Sequence, residues 1–277
     1  MSTPPISDEA LQQNCDSRGV LTLTLNRPEI HNAFGDSLIA NLLTVLESAN
    51  DNPNIRAIVI TGAGKSFSAG ADLNWMRSML AASAEENERD ALQLAAMLRS
   101  LNYNSKPTIA RVNGSAFGGG VGLIACCDIV VAADAAQFGL TEVHLGLVPA
   151  IISPYVFRRI GERNARRYFL NAERFDASRA LAIGLLQEVV PMSALDQQVD
   201  RQVEMLLRAG PVAAAQSKGL LFRVAGLDVR GQLQLDQENA RLIARLRVSA
   251  EGQEGLAAFL EKRPPAWVQK ETQQKHD

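Results

Sequence analysis

The chain of 277 residues is 47% hydrophobic, enough for a large buried core, and its formal charge of −2 leaves no basic field for a nucleic acid. No Ser/Gly-rich linker, low-complexity run or internal repeat marks a clean boundary, so one core domain over residues 1–200 followed by a smaller helical region over 201–277 is expected. No apolar run nears the ~18 residues of a membrane span. The polar stretch at 2–13 lacks the apolar centre of a signal peptide, so a soluble, cytoplasmic protein is expected, working on a small molecule or with further copies of itself.

The first half alternates short β-type runs with helical patterns, which predicts an α/β fold of parallel strands joined by crossover helices. Val20–Leu25 is the first strand. Asp36 can then cap a helix whose Leu38, Leu42, Val45, Leu46 and Ala49 recur at helical spacing. Residues 55–61 give the second strand, 85–101 a second crossover helix, and Thr108–Val112 and 129–132 two further strands. Cys126 and Cys127 are adjacent in an apolar run, where neither pairing nor metal geometry is natural; with Cys15 they read as core packing in a reducing compartment. His31, His144 and His276 are scattered, and no metal ligand set is visible. After about residue 200 the strand signals stop and three amphipathic segments follow, around Met205, over 212–224 and over 229–248. In the last, Leu233, Ala240, Ile243, Ala244 and Arg247 lie near one face, which packs on the same protein or on an oligomeric neighbour.

Two glycine-containing turns each stand between a strand and a helix: Ser66-Phe67-Ser68-Ala69-Gly70-Ala71-Asp72-Leu73 and Asn113-Gly114-Ser115-Ala116-Phe117-Gly118-Gly119-Gly120. Small residues there let backbone N–H groups approach a ligand, and a helix start adds unpaired donors and the positive end of its dipole. Two such turns can jointly cradle one anionic oxygen, which is what a thioester enolate requires. Taken singly, each is better explained by tight packing of strand on helix. Neither a GxGxxG with its acidic follower nor a GxxxxGK[ST] is present, which argues against a nucleotide phosphate cradle.

The chain runs LNRPEIHNAF, VITGAGKSFSAGADL, KPTIARVNGSAFGGGVGLIACCDIVVAADAAQFGLTEVHLGLVP and SAEGQEGLAAFLEKRPPAW in that order. In these motifs and their spacing, over about 20–267, it resembles the crotonase (enoyl-CoA hydratase/isomerase) superfamily. The resemblance implies a ClpP/crotonase-like spiral of ββα units, with C-terminal helices at a trimer contact and trimers pairing into hexamers. It implies no permanent cofactor, coenzyme A arriving as part of the substrate. It places oxyanion-hole donors on the backbone N–H groups of Ala71 and Gly119. It places the CoA moiety against Glu29, Ile30 and His31 and against the loop of Ala69, Gly70, Asp72 and Leu73, with Phe259 and Lys262 reaching the nucleotide end. Lys262 would meet a phosphate as a point charge, or else be a solvated lysine on a helix surface.

Hydratases of that superfamily commonly use two glutamates, and here the first position is Gly122 and the second Glu142. A glycine transfers no proton, so the resemblance leaves Glu142 as the acid/base group. Burial between Thr141 and Val143 would raise its pKa; alternatively Thr141 caps a helix with Glu142 in its first turn. Ala150-Ile151-Ile152-Ser153-Pro154 replaces the usual glycine-rich stretch and, with Trp75, Met76, Gly122 and Leu140, is expected to line the acyl pocket. Among subfamilies the chain looks most like bacterial methylglutaconyl-CoA hydratases of leucine degradation and isohexenylglutaconyl-CoA hydratases of acyclic terpenoid degradation. Both substrates carry a distal carboxylate, for which Arg77 and His144 are candidates by nearness alone. The expected function is therefore that of a hydro-lyase on a branched enoyl-CoA thioester. A double-bond isomerase using the single glutamate is the alternative, and a non-catalytic CoA- or RNA-binding paralogue the more distant one, disfavoured by the lack of a Lys/Arg cluster interleaved with aromatics.

Overall fold

The computed structural model describes residues 10–268, so His276 and residues 1–9 of the polar N-terminal stretch lie outside it. β1 (Leu11–Cys15) pairs antiparallel with β2 (Val20–Leu25), whose alternation buries Val20, Leu21, Leu23 and Leu25. α1 (Asp36–Asp51) crosses over and buries Leu38, Ile39, Leu42, Leu46 and Ala49. Gly35 precedes it in extended conformation and no side chain caps it, so Asp36 is its first residue and acts on the helix dipole instead of capping it.

Three strand–strand–helix units then repeat. β3 (Ala57–Gly62) and β4 (Ser66–Ser68) lead into α2 (Leu73–Ala81) and α3 (Ala84–Asn102). β5 (Thr108–Val112) and β6 (Ser115–Phe117) lead into α4 (Gly119–Cys126), and β7 (Ile129–Ala133) and β8 (Gln137–Gly139) lead into α5 (Ser153–Asn171). The first strand of each unit joins a larger sheet and the second a smaller one, which is the expected spiral of ββα units. β9 (Phe175–Asp176) closes the four-stranded sheet in the order β4-β6-β8-β9. α6 (Ala177–Ala182) follows, and β10 (Glu188–Val190) closes the six-stranded sheet as β1-β2-β3-β5-β7-β10. All pairings from β2 to β10 in that larger sheet are parallel, and β3, at its centre, is buried along its whole length.

Four helices end the chain: α7 (Leu195–Leu207), α8 (Pro211–Val224), α9 (Val229–Arg247) and α10 (Ala250–Leu260). α7 covers one face of the large sheet with Leu195, Val199 and Val203 against Val59, Ile109 and Val131. Ala240, Ile243 and Leu256, from α9 and α10, join the main core on the other side. Leu233 is exposed, not on the packed face. The buried stripe of α9 runs through Gln232 and Asp236 because Gln232 Oε1 accepts from Arg158 Nη2 (3.1 Å) and Asp236 pairs with Gln232 and Arg99. Cys126 and Cys127 are core residues, but Cys15 is exposed at the sheet edge. Among the described residues no helix is long and apolar enough to cross a membrane.

Candidate active site

The loop leaving β2 carries one 3-10 turn, Pro28–Ile30, after which His31 and Asn32 take left-handed φ values of 54° and 55°. Asparagine tolerates that conformation, and the buried Asn32 side chain is fully engaged. Its Nδ2 donates to Ala63 O and Ser66 O at 2.8 Å each, and its Oδ1 accepts from the Arg27 N–H at 2.9 Å. This reversal delivers Phe34 beside Ala71. The Phe34 N–H donates to Gly70 O (2.6 Å) and the Asp72 N–H donates to Phe34 O (2.7 Å), a one-residue parallel bridge. Both bonds use the neighbours of Ala71, so the N–H of Ala71 itself is not spent on Phe34, and Ala71 borders a cavity. Asp72 then starts α2. Its Oδ1 accepts from the Asn74 N–H (2.7 Å) and the Trp75 N–H (3.3 Å), and its Oδ2 pairs with Arg27 Nη2 (3.0 Å).

The second turn reaches the same cavity. Gly118, at φ 50°, breaks β6, and α4 opens at Gly119, whose N–H lies at the first helical position and has no acceptor within the helix. A Cβ on Gly119 would sit 2.7 Å from Phe34 Cε2, so only glycine lets the ring and the turn approach this closely. Phe34 thus fixes both turns, one through its backbone and the other through its ring.

Glu142 faces them. It opens a 3-10 turn, Glu142–Leu145, after β8, and the side chain of Thr141 does not cap that turn. Glu142 Oε1 lies 3.2 Å from where a Cβ on Gly118 would stand, and Oε2 is buried with no hydrogen-bond partner. Burial pushes its pKa from the ordinary 4.5 up to about 7, with only its own backbone N–H pulling the other way. Gly122 lies one turn further along α4. A Cβ there would be 2.3 Å from Ile152 Cγ2, so Ile152 fills the space a side chain at 122 would need. Gly122 is therefore sealed behind Ile152 and does not border the cavity, contrary to its expected place in the acyl pocket. Leu140 is likewise buried behind the wall, in the main core.

The cavity has a volume of about 310 Å³. Trp75, Met76 and Met79 from α2, Leu94 from α3, Ala150 to Ile152, Ile243 from α9 and Leu256 from α10 form its apolar walls. Ala69, Gly70, Ala71, Gly118, Gly119 and Glu142 form its polar side. Phe259, half exposed, borders the opening, and Lys262 follows it at the exposed end of α10 with φ 55°. Glu29, exposed, and Ile30, half-buried, lie on the loop leaving β2, while the exposed Leu73 opens α2, and none of the three borders the cavity; the His31 ring Nδ1 is 2.9 Å from Ser66 Oγ. The Asp72 carboxylate is committed to Arg27 and to the start of α2, so it contributes to this region through the helix it positions.

Of the two candidates for a distal carboxylate, His144 borders the cavity but is exposed. Arg77 does not border it and donates to Asn74 Oδ1 (2.9 Å). A cation that the sequence places on the packed face of its helix, but not at the site, is buried in the wall. Arg247, 6% exposed, ends α9, and its Nη1 donates to Asp90 Oδ2 (3.0 Å). The signal was present: a single cation on the apolar stripe of Ala240, Ile243 and Ala244, and an acid one turn from Asn87 and Leu94 on the buried side of α3.

The arrangement brings two turns with small residues and a carboxyl group with one unpartnered oxygen to one apolar cavity, which suits polarising a carbonyl and moving a proton beside it. The family model for enoyl-CoA hydratase/isomerase matches residues 16–270. The 2,3-dehydroadipyl-CoA hydratase of Escherichia coli is 37% identical over 247 residues, 89% of this chain and 94% of that protein. An enoyl-CoA hydratase from Shewanella pealeana is 44% identical with a TM-score of 0.76, covering 93% of this chain and 96% of its own. An enoyl-CoA hydratase from Mycobacterium avium is 35% identical with a TM-score of 0.82, covering 94% and 100%. The fold is that of the crotonases and the activity is of enoyl-CoA hydratase type, on CoA thioesters. Matched almost end to end in sequence and in fold, this chain belongs to the enoyl-CoA hydratase/isomerase family.

Proposed function

We propose that the protein adds water across the Cα=Cβ bond of a branched enoyl-CoA thioester carrying a distal carboxylate, 3-methylglutaconyl-CoA or isohexenylglutaconyl-CoA. The observation that carries this reading is the lone carboxyl group of Glu142, placed beside Gly118 with Ile152 filling the only space for a second one at 122. The E. coli relative is named for 2,3-dehydroadipyl-CoA, whose acyl chain also ends in a carboxylate.

In this reading the thioester oxygen lies between the N–H groups of Ala71 and Gly119. Water attacks Cβ, the π electrons move towards the thioester carbonyl, and the two amides hold the enolate oxygen. The Glu142 carboxylate takes the proton released by the water and returns it to Cα, so one water is added and the carboxylate is regenerated. Ala69, Gly70 and the 29–31 segment hold the CoA moiety, with Phe259 and Lys262 at its nucleotide end. We also propose that copies assemble as trimers or hexamers, since α8 buries no side chain and exposes Val212, Leu220, Leu221 and Val224.

The same single carboxyl supports a second reading, in which Glu142 removes a proton from Cγ and returns it to Cα, moving the double bond. Incubating the purified protein with 3-methylglutaconyl-CoA in heavy-oxygen water separates the two. Hydration places solvent oxygen in the product, and loss of that incorporation in Glu142→Ala assigns the proton transfer. Double-bond migration without solvent oxygen would sink the hydratase reading.

A further inference from the structure

Three features meet at Arg247, in the wall of the cavity. The first is that Arg247 is the one cation that is both buried and on the cavity surface among the described residues, in a lining that includes Met79, Leu94, Ile243 and Leu256. A pocket for a purely hydrocarbon acyl chain gains nothing from a guanidinium in that position, because desolvating the charge opposes folding. Burial does pull the Arg247 pKa down, and it raises that of Asp90 despite the adjacent guanidinium.

The second observation is that the guanidinium is rigidly held from one side only. Its hydrogen bonds leave from Nη1, to Asp90 Oδ2 (3.0 Å), Asn87 Oδ1 (3.3 Å) and Asn87 O (3.4 Å). Asp90 is fixed in turn by Trp75 Nε1, which donates to its Oδ1 at 3.0 Å, and the guanidinium carbon lies 5.8 Å from the centre of the Trp75 ring. The backbone is anchored as well, since Gln253 Nε2 donates to Arg247 O (2.7 Å) and Leu80 O (3.3 Å).

The third is that Arg247 Nε is buried with no hydrogen-bond partner. A buried donor left unmade destabilises a fold, so the guanidinium edge opposite the Nη1 contacts has a donor to give when an acceptor enters the cavity that Arg247 lines. Arginine presents its donors in a planar fork that matches a carboxylate.

We propose that Arg247, oriented by Asp90 and Trp75, is the specificity residue that receives the distal carboxylate of the acyl chain. This rests on the hydratase reading only for the identity of the substrate, and the site makes its own claim on any acyl-CoA ending in a carboxylate. Asp90 is a positioning residue, which holds the guanidinium and does not border the cavity, whereas Trp75 both fixes Asp90 and forms part of the cavity wall. Arg174, the other arginine bordering the cavity, is exposed with its guanidinium over the Phe117 ring (4.9 Å), where water competes for any anion.

The test is binding without turnover. Glutaryl-CoA and pentanoyl-CoA have equal chain length and differ by a terminal carboxylate against a methyl group. Calorimetry with the wild-type protein is expected to show glutaryl-CoA bound at least about tenfold more tightly, the worth of one charge-assisted contact. Arg247→Met should abolish that preference and leave pentanoyl-CoA affinity within about threefold. Removing one partner of a buried pair endangers folding, so Asp90→Asn/Arg247→Met, which removes both charges, is the second variant. Equal wild-type affinities, a preference that survives in the double variant, or one that disappears in Arg174→Met instead would overturn the proposal. Failure of the hydratase reading shows separately, as the absence of water addition by a wild-type protein that still prefers glutaryl-CoA.

Discussion

Replacing Glu142 with glutamine should make the protein more stable and less active at the same time, and the stability gain should depend on pH. The Glu142 carboxyl is buried, its Oε2 has no partner, and its pKa stands at about 7 against an ordinary 4.5. Folding therefore favours the protonated form, the reverse of a salt-bridged carboxylate. Stability linked to this group is fully present below about pH 4.5 and is lost as pH rises through about 7. A shift of about 2.5 units at about 1.4 kcal/mol each gives a penalty of about 3 kcal/mol at pH 8, but under about 1 kcal/mol at pH 5. Glutamine has the same shape and no charge to bury. Thermal unfolding of Glu142→Gln and wild type at fixed concentration should differ on the order of 5 °C at pH 8 and by little at pH 5. Equal gains at both pH values, or a variant that is less stable at pH 8, would refute a buried carboxyl that resists ionisation.

If Glu142 acts as the carboxylate, kcat/KM for hydration rises with pH through about 7 and then levels, and a flat profile between pH 6 and 8 would count against it. Gly119→Ala places a methyl 2.7 Å from Phe34 Cε2, and the displaced ring should lower kcat about 100-fold while unfolding free energy, read by urea denaturation, changes by about 1–3 kcal/mol. Gly122→Glu meets Ile152 Cγ2 at 2.3 Å and is expected to lower stability by about 3 kcal/mol or more, with recovery when combined with Ile152→Gly; a single variant as stable as wild type would show that Ile152 is no plug. Asp72→Ala removes both the cap of α2 and the partner of Arg27, and a loss of about 2 kcal/mol in urea denaturation is expected.

The long parallel strands were legible because five or six residues suffice to show a pattern, as in Val20–Leu25 and Thr108–Val112. β4, β6 and β8 were not, since three residues carry no periodicity and their pairing follows from stacking the units. The two turns could be found because Gly70 and Gly118, at φ 88° and 50°, need glycine, and that need is written in the sequence. The absence of a glutamate at 122 was equally plain. That Ile152 would occupy the vacated space, and so hide Gly122 from the cavity, depends on how α5 packs on α4, which no local pattern encodes. Arg247 was seen on the correct face of its helix, but whether a cation on such a stripe surfaces into water or into a cavity is decided by α3 and α10. The same limit explains Leu233, displaced from the packed face by the pairing of Gln232 and Asp236 with arginines on α5 and α3.

The contact that joins the two turns has a consequence for the order in which the molecule becomes competent. Ala71 and Gly119 sit on separate ββα units, and what registers them is Phe34, contributed by a loop that precedes both. Neither unit can complete the pair by itself, so the site is a three-way junction of segments distant along the chain and forms only after the 26–34 loop has docked. Local opening of that loop removes the junction without unfolding the sheets, and amide exchange at Phe34 and Asp72, whose N–H groups make the bridge, reports the fraction of molecules in which it is intact.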